Sequence, residues 1–176
     1  MSIIIEPSAF GPVRAVAAEH VTAHWLSEEG GTPVLHGGRR KGHDIADGGQ
    51  LIDAKLLAPA SASEKREYPG CTHKLRRDLW RPFDPARTTQ VVLVEFPPDW
   101  TAGSSTSFAE TTITIRHENV RLYLIEVPEF NEILAEQREQ AEDEKWAFII
   151  LDDYWLTEHQ VHPRTREKEA SEEEAA

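Results

Sequence analysis

Apolar residues recur at helical spacing early in the chain and then gather into short alternating or continuous blocks. From Pro12 to Glu29, Val13, Val16, Ala17, Val21 and Trp25 trace one helical stripe that Gly30-Gly31 brings to a stop. Thr32 to Leu35 is a short apolar segment, and after the polar run HGGRRKG the blocks HDIAD and QLIDAKLL flank Gly48-Gly49, which predicts a hairpin. Ala58 to Thr89 carries four of the eleven prolines and little periodicity, so it reads as a loop-rich excursion with a helical turn near Lys74 to Trp80. The continuous run QVVLVEF predicts a buried strand stopped by Pro97-Pro98. TTITIRH and VRLYLIEV, separated by Glu118-Asn119, predict a second hairpin. Pro128 opens a predicted helix through Glu144, and WAFIILDDYWL reads as a last buried strand. The order is that of an α/β domain over residues 1–163. The polar run 164–176 is expected to be a disordered acidic tail.

The first hairpin has consequences for chemistry. A two-residue Gly-Gly turn, which suits positive φ, pairs Asp47 with Gln50, Ala46 with Leu51, Ile45 with Ile52 and Asp44 with Asp53. Side chains alternate along a strand, so Lys55 shares the face of Asp53, while Ile52, Ala54 and Leu56 point with Ile45 toward a core. Two carboxylates opposite one another repel unless something cationic sits between them. Asp47, beside the turn, is expected to make a local hydrogen bond there.

Composition narrows the function classes. The chain has 176 residues, 39% of them apolar, enough for one core. No apolar run reaches membrane-spanning length, and the initial SIII lacks the basic flank of a signal peptide, so a soluble, cytoplasmic protein with no membrane partner is expected. A single cysteine, Cys71, excludes an intrachain disulfide and a four-thiolate zinc site. Nothing resembles a P-loop, a dinucleotide-binding fingerprint or a GxSxG elbow. The net charge of −12 is unevenly spread. Residues 37–87 hold eleven Lys and Arg against seven Asp and Glu, whereas residues 126–160 hold eleven acids and two bases. A basic half on an acidic scaffold suits phosphate binding, although charge runs are commonly just solvated faces.

Two close carboxylates with water are hard oxygen ligands of the kind Mg²⁺ takes beside phosphate oxygens. Together with Lys55 they suggest phosphodiester chemistry, the amine orienting water or offsetting charge. The competing reading is a surface hairpin with solvated acids and a weak ion pair. Glu19 borders the apolar stripe of the first helix and could reach the hairpin, or it could be a solvated helix acid. Arg39, Arg40 and Lys41 just before Asp44, and Arg76 and Arg77 in the run HKLRRDLWRPFDPAR with Trp80 and Phe83, are the candidate nucleic-acid contacts. His20 and His24, four apart on the helix, with Cys71 and His73, offer the composition of an alternative zinc site, at a spacing unusual for one.

The run from the first helix through the hairpin, about residues 12–57, resembles the PD-(D/E)xK nuclease superfamily, whose fold is restriction-endonuclease-like. In that superfamily an acid on the first helix, an aspartate beginning a strand and an acid-x-lysine on the paired strand form the metal site. The matching positions are Glu19 in AAEHVTAHWL, Asp44 in GHDI and Asp53-Ala54-Lys55 in LIDAKLL. His43 stands at a position that is often aromatic, and Asp53 replaces the commoner Glu. The resemblance implies a mixed central sheet flanked by helices and Mg²⁺- or Mn²⁺-dependent hydrolysis of nucleic acid, with DNA the expected substrate. It assigns Glu19, Asp44, Asp53 and Lys55 to catalysis and Asp44, Asp53 and Ala54 to the metal. Restriction, defence, repair and mobile-element roles are typical, and a homodimer is frequent. The alternative from another class is a non-catalytic acidic protein, an inhibitor or nucleic-acid mimic, that binds its partner through the acids of residues 126–160.

Overall fold

The computed structural model describes residues 2–5, 13–36, 42–67, 72–76, 82–97, 113–144 and 148–163. In chain order the elements are β1 (Ser2–Ile5), α1 (Val13–Glu28), β2 (Val34–Leu35), β3 (Ile45–Asp47), β4 (Gln50–Pro59), α2 (Ala62–Glu67), β5 (His73–Arg76), β6 (Gln90–Glu95), β7 (Ile113–Arg116), β8 (Arg121–Glu126), α3 (Val127–Glu144), β9 (Phe148–Leu151), α4 (Asp153–His159) and β10 (Gln160–His162). The tail at 164–176 lies outside the described residues, and among those described no helix is long and apolar enough to cross a membrane.

The principal sheet has eight strands, ordered β10-β8-β6-β4-β3-β2, with β5 joining the far end of β4 and carrying β9. The β4–β6 pair is parallel and the other pairs are antiparallel. The architecture is therefore α/β, a mixed sheet flanked by helices. A parallel central pair is normally covered on both faces, and β6 follows that rule. Val92 and Val94 join Ile45, Ile52, Ala54 and Leu122 beneath Val16, Ala17, Ala18 and Val21 of α1. Val91 and Leu93 join Leu57, Tyr123 and Ile125 beneath Phe130 and Leu134 of α3 and Leu156 of α4. The unbroken apolar run of β6 has this cause.

The two faces also correct the expected environment of the hairpin. Ile45, Ile52 and Ala54 do face the α1 core, but Leu56 is only half-buried and Leu57 is buried on the opposite face. The side carrying Asp53 and Lys55 is thus packed as well, and the picture of one apolar and one solvated face does not hold.

Three further expectations are corrected. Residues 62–67 form a short helix and 73–76 a strand, where a loop-rich stretch with a helical turn from Lys74 was expected. ASEKRE has no apolar stripe, so hydrophobic periodicity cannot reveal it. TTITIRH and VRLYLIEV do contain strands but do not pair as a hairpin. A 3₁₀ turn over His117–Asn119 separates them, β7 pairs with β1 in its own two-stranded sheet, and β8 lies between β6 and β10. Finally, WAFIILDDYWL is strand only to Leu151. Asp152 is an N-cap, its carboxylate accepting from Trp155 N–H at 2.8 Å, and the following residues form α4.

Candidate functional site

The hairpin turn forms as its sequence requires. Gly48 and Gly49 have φ of 53° and 93°, left-handed values that glycine adopts without strain. The register is the expected one, Ile45 opposite Ile52, Ala46 opposite Leu51 and Asp47 opposite Gln50. Asp47 serves a structural role, although not within the turn: its carboxylate accepts from Thr32 N–H at 2.7 Å. It also lies so close to Gly31 that a side chain there would collide with it.

The ladder stops at Ile45–Ile52, so the expected Asp44–Asp53 pair is not part of it: Asp44 N–H donates to Ile52 O at 2.9 Å, a one-residue slip that sets both Asp44 and Ile45 against Ile52. The Asp44 carboxylate takes over, accepting from Ala54 N–H at 3.2 Å. An acid thus caps the strand edge that β3 has vacated. Within a strand a residue's N–H and C=O project to the same edge, so the Ala54 carbonyl is directed to this side too. Asp53 hydrogen-bonds to Asp44, and Lys55 Nζ is paired with Asp53 Oδ1. Glu19, projecting from α1, feels the charges of Asp44 and Lys55. The structure therefore brings Asp44, Asp53 and Lys55 into one cluster and sets Glu19 of α1 within electrostatic range of it.

These acids are not on a solvated surface. Asp53 is 7% exposed and Glu19 8%. Burial, reinforced by the charge of Asp44 and opposed by Lys55, pushes the Glu19 carboxyl up to about 7. Burial also raises Asp53, helped by its hydrogen bond with Asp44, against the pull of Lys55. Three carboxyl groups share one ammonium, and that deficit of positive charge is the electrostatic signature of the cluster. It suits a hard divalent cation held by Asp44 and Asp53 with water. Among the described residues, however, no group of three or more His, Cys, Asp or Glu is arranged to hold a metal ion.

A clamp that the sequence did not reveal holds this corner. Gly42, at φ 110°, packs so tightly on the loop before β6 that an added Cβ would lie 2.7 Å from Arg87 Cβ. His43 Nδ1 lies 3.0 Å from the Arg87 carbonyl oxygen, and Thr88 Oγ1 donates to Gly42 O. Thr89 N–H donates to Leu51 O at 2.7 Å and its hydroxyl accepts from Leu51 N–H at 2.8 Å. These partners stand about forty residues apart in sequence, so no local pattern announces them, yet they fix the strand entry that delivers Asp44.

The expected nucleic-acid contacts stand differently. Arg39, Arg40, Lys41 and Arg77 lie outside the described residues, as does Trp80, and Arg76 is placed by its backbone, in β5 opposite Phe148. Phe83 belongs to the core, its ring 5.7 Å from that of Phe130 and its backbone clasped by Asn131 at 2.8 and 2.9 Å. Of the alternative zinc set, Cys71 lies outside the described residues, His24 pairs with Glu28 at 3.2 Å, and His73 lies between two carboxylates.

That histidine marks a second polar cluster, at the ends of β4 and β6, which the sequence did not single out. His73 Nε2 lies 3.2 Å from Glu95 Oε1 and its Nδ1 3.3 Å from Asp153 Oδ1. Tyr123 OH donates to Glu95 Oε2 at 2.7 Å, and Arg121 lies 3.6 Å from the same oxygen. Burial opposes ionisation of Glu95, but hydrogen bonds from His73 and Tyr123 and the charges of His73 and Arg121 hold its carboxyl below the ordinary range. No protein-family model, curated protein or solved structure matches the chain.

Proposed function

We propose that the chain is a metal-dependent nuclease of the restriction-endonuclease-like fold, hydrolysing phosphodiester bonds in DNA with Mg²⁺ or Mn²⁺. The observation that carries this reading is the convergence of Glu19, Asp44, Asp53 and Lys55 in the order of the PD-(D/E)xK motif, on a buried corner with more carboxyl groups than cations. Perturbed carboxyls at such a cluster are a recognised mark of functional sites.

Asp44, Asp53 and the Ala54 carbonyl would hold the ion, completed by water and phosphate oxygens, since Mg²⁺ commonly takes only one or two carboxylates from a protein. The chemistry supplied by a bound Mg²⁺ or Mn²⁺ is polarisation of the scissile phosphate and a lower pKa for the attacking water. Lys55, an ammonium that cannot be a ligand, would orient that water and offset charge on the phosphate. Glu19 would take a proton from the water or hold a second water shell, a role suited to a carboxyl poised near neutrality. Arg39, Arg40 and Lys41, preceding Asp44 in sequence, would bind the phosphate backbone.

The test incubates purified protein with double- and single-stranded DNA and RNA in Mg²⁺, Mn²⁺ or EDTA. Cleavage of DNA that needs the metal is expected. Asp44→Ala should lose metal affinity by calorimetry as well as cleavage. Arg39→Ala with Arg40→Ala should weaken DNA binding broadly and flatten its salt dependence. Undiminished cleavage in EDTA, or unchanged metal affinity in Asp44→Ala, removes the reading. An acidic partner-binding protein would show neither metal binding at Asp44 nor cleavage.

A further inference from the structure

We propose that His73 is a protonation-operated clasp that fastens α4 to the end of β6. The buried imidazole lies between two carboxylates, Glu95 Oε1 on the Nε2 side and Asp153 Oδ1 on the Nδ1 side. A carboxylate only accepts, so both contacts are hydrogen bonds only when both ring nitrogens carry protons. The two acids differ in how they are held. Glu95 is anchored by Tyr123 and Arg121 of β8 and sits in the central sheet. Asp153 is in the first turn of a seven-residue helix and its side chain is 70% exposed.

The neighbouring hydroxyl makes the device two-state. Thr72 Oγ1 lies 3.0 Å from His73 Nδ1 and 3.2 Å from Leu151 O. With the imidazolium, Nδ1–H points to Asp153 and the Thr72 hydroxyl donates to Leu151 O. When the ring loses one proton, Nε2–H remains on Glu95 and Nδ1 becomes an acceptor. The Thr72 hydroxyl then turns its single proton to Nδ1, and Asp153 loses its donor. The proton leaves to solvent on the exposed Asp153 side, and no buried nitrogen is left unpaired. Release therefore falls on α4 rather than on the sheet.

The charged and titratable groups facing this imidazole include Glu95 from β6, Asp153 from α4, and Arg121 and Tyr123 from β8, acting through Glu95. Leu156 of α4 closes the core cluster that contains Leu57, two residues beyond Lys55 on β4. Loosening α4 thus reaches the strand that carries the acid cluster. The clasp is engaged while both ring nitrogens carry protons and both acids are ionised, and it opens when the ring gives up a proton.

The test is native-state hydrogen exchange of the full chain between pH 5.5 and 8, with protection of the α4 amides divided by that of β6 in the same sample. Local opening of a short helix is measurable apart from global unfolding. The α4 ratio should fall about threefold to tenfold with rising pH, the size of one net hydrogen bond. Asp153→Asn, at an exposed position, should flatten that response even if His73→Gln does not fold. His159→Gln should leave it intact, since His159 of the same helix pairs separately with Glu129. A pH-independent α4 ratio, a full response in Asp153→Asn, or loss of the response in His159→Gln each overturns the clasp.

Discussion

The two polar clusters on β4 and β6 use similar side chains and come out opposite. Around Asp53, three carboxyl groups meet one ammonium, and the buried acids are raised, Glu19 to about 7. Around Glu95, an imidazole, a guanidinium and a phenol converge on one carboxylate and hold it low. Tyr123, in turn, is pushed up by burial and by donating to that acid. A satisfied buried carboxylate contributes to stability. An undersatisfied group of acids works against it, and the fold keeps the arrangement in place with the Gly42–Thr89 clamp. The contrast fits a structural role for the Glu95 cluster and the proposed metal chemistry for the Asp53 cluster.

The largest expected effect tests that division directly. Lys55→Ala should lower DNA cleavage by roughly 10²–10³-fold, the usual loss when one charge-stabilising group is removed from an active site. Metal and DNA binding should persist. Glu95→Gln should leave cleavage per folded molecule unchanged. Single-turnover cleavage and metal calorimetry on both variants separate the clusters, and equal loss of activity in the two would dissolve the comparison.

Next in size is the stability of the satisfied cluster. Glu95→Ala removes the shared acceptor of His73, Tyr123 and Arg121 and should cost about 2–3 kcal/mol in urea unfolding, a typical figure for hydrogen bonds to a charged group. Tyr123→Phe removes one of these donors and should cost about 1 kcal/mol. A loss below about 0.5 kcal/mol in Glu95→Ala would mean that its partners re-pair elsewhere.

Legibility in the sequence follows the range of the interactions. The hairpin register and the shared face of Asp53 and Lys55 were readable because a Gly-Gly turn and strand alternation fix them within a dozen residues, whereas the slip at Asp44, which leaves the ladder to bond Ile52 O, has no local signal. For Glu19 helical spacing left two readings open, and burial to 8% exposure excludes the solvated one. The Glu95 cluster was not readable, since it joins His73, Glu95, Arg121 and Asp153 from four separate elements. The clamp of Gly42 and His43 on the loop before β6 was hidden for the same reason. The false second hairpin arose because a short polar spacer between two strands does not tell which other strand each will find: β7 pairs with β1 and β8 with β6. The missed α4 had a local signal, Asp152 as N-cap, masked by the apolar run before it.

The two clusters should also titrate in opposite senses. Glu19 in the folded chain keeps its proton up to about 7, whereas unfolded it loses it near the ordinary 4.5. Between those values the folded state binds more protons, so its contribution to stability falls as pH rises. Glu95, held low, is the reverse: its contribution is present above the ordinary carboxylate range and is lost as pH falls through its folded value. Metal-free thermal unfolding should therefore show a decline from about pH 5 to 7 that Glu19→Gln reduces, and an acid-side decline that Glu95→Gln reduces. Added Mg²⁺ should lift the neutral side alone. If Glu19→Gln leaves the neutral decline unchanged, the acid cluster is not its source.

The smallest effect is the most discriminating about why the acids are there. Asp53→Asn removes one of two opposed carboxyls together with the ion pair to Lys55. Burial and the Asp44 neighbour both disfavour the charged form of Asp53, while Lys55 favours it. Asparagine keeps an acceptor for Lys55 and gains donors that can reach the Asp44 carboxylate, so the repulsion is replaced by hydrogen bonding. At pH 7 without metal, Asp53→Asn should then stay within about 1 kcal/mol of the parent, or exceed it, because the opposed like charges it removes are destabilising by that order. In saturating Mg²⁺ the order should reverse, since only the parent gains from a ligand that binds the folded state. Urea midpoints with and without Mg²⁺ read both halves. A loss of several kcal/mol without metal would make Asp53 a structural acid like Glu95, and the two clusters would no longer be opposites.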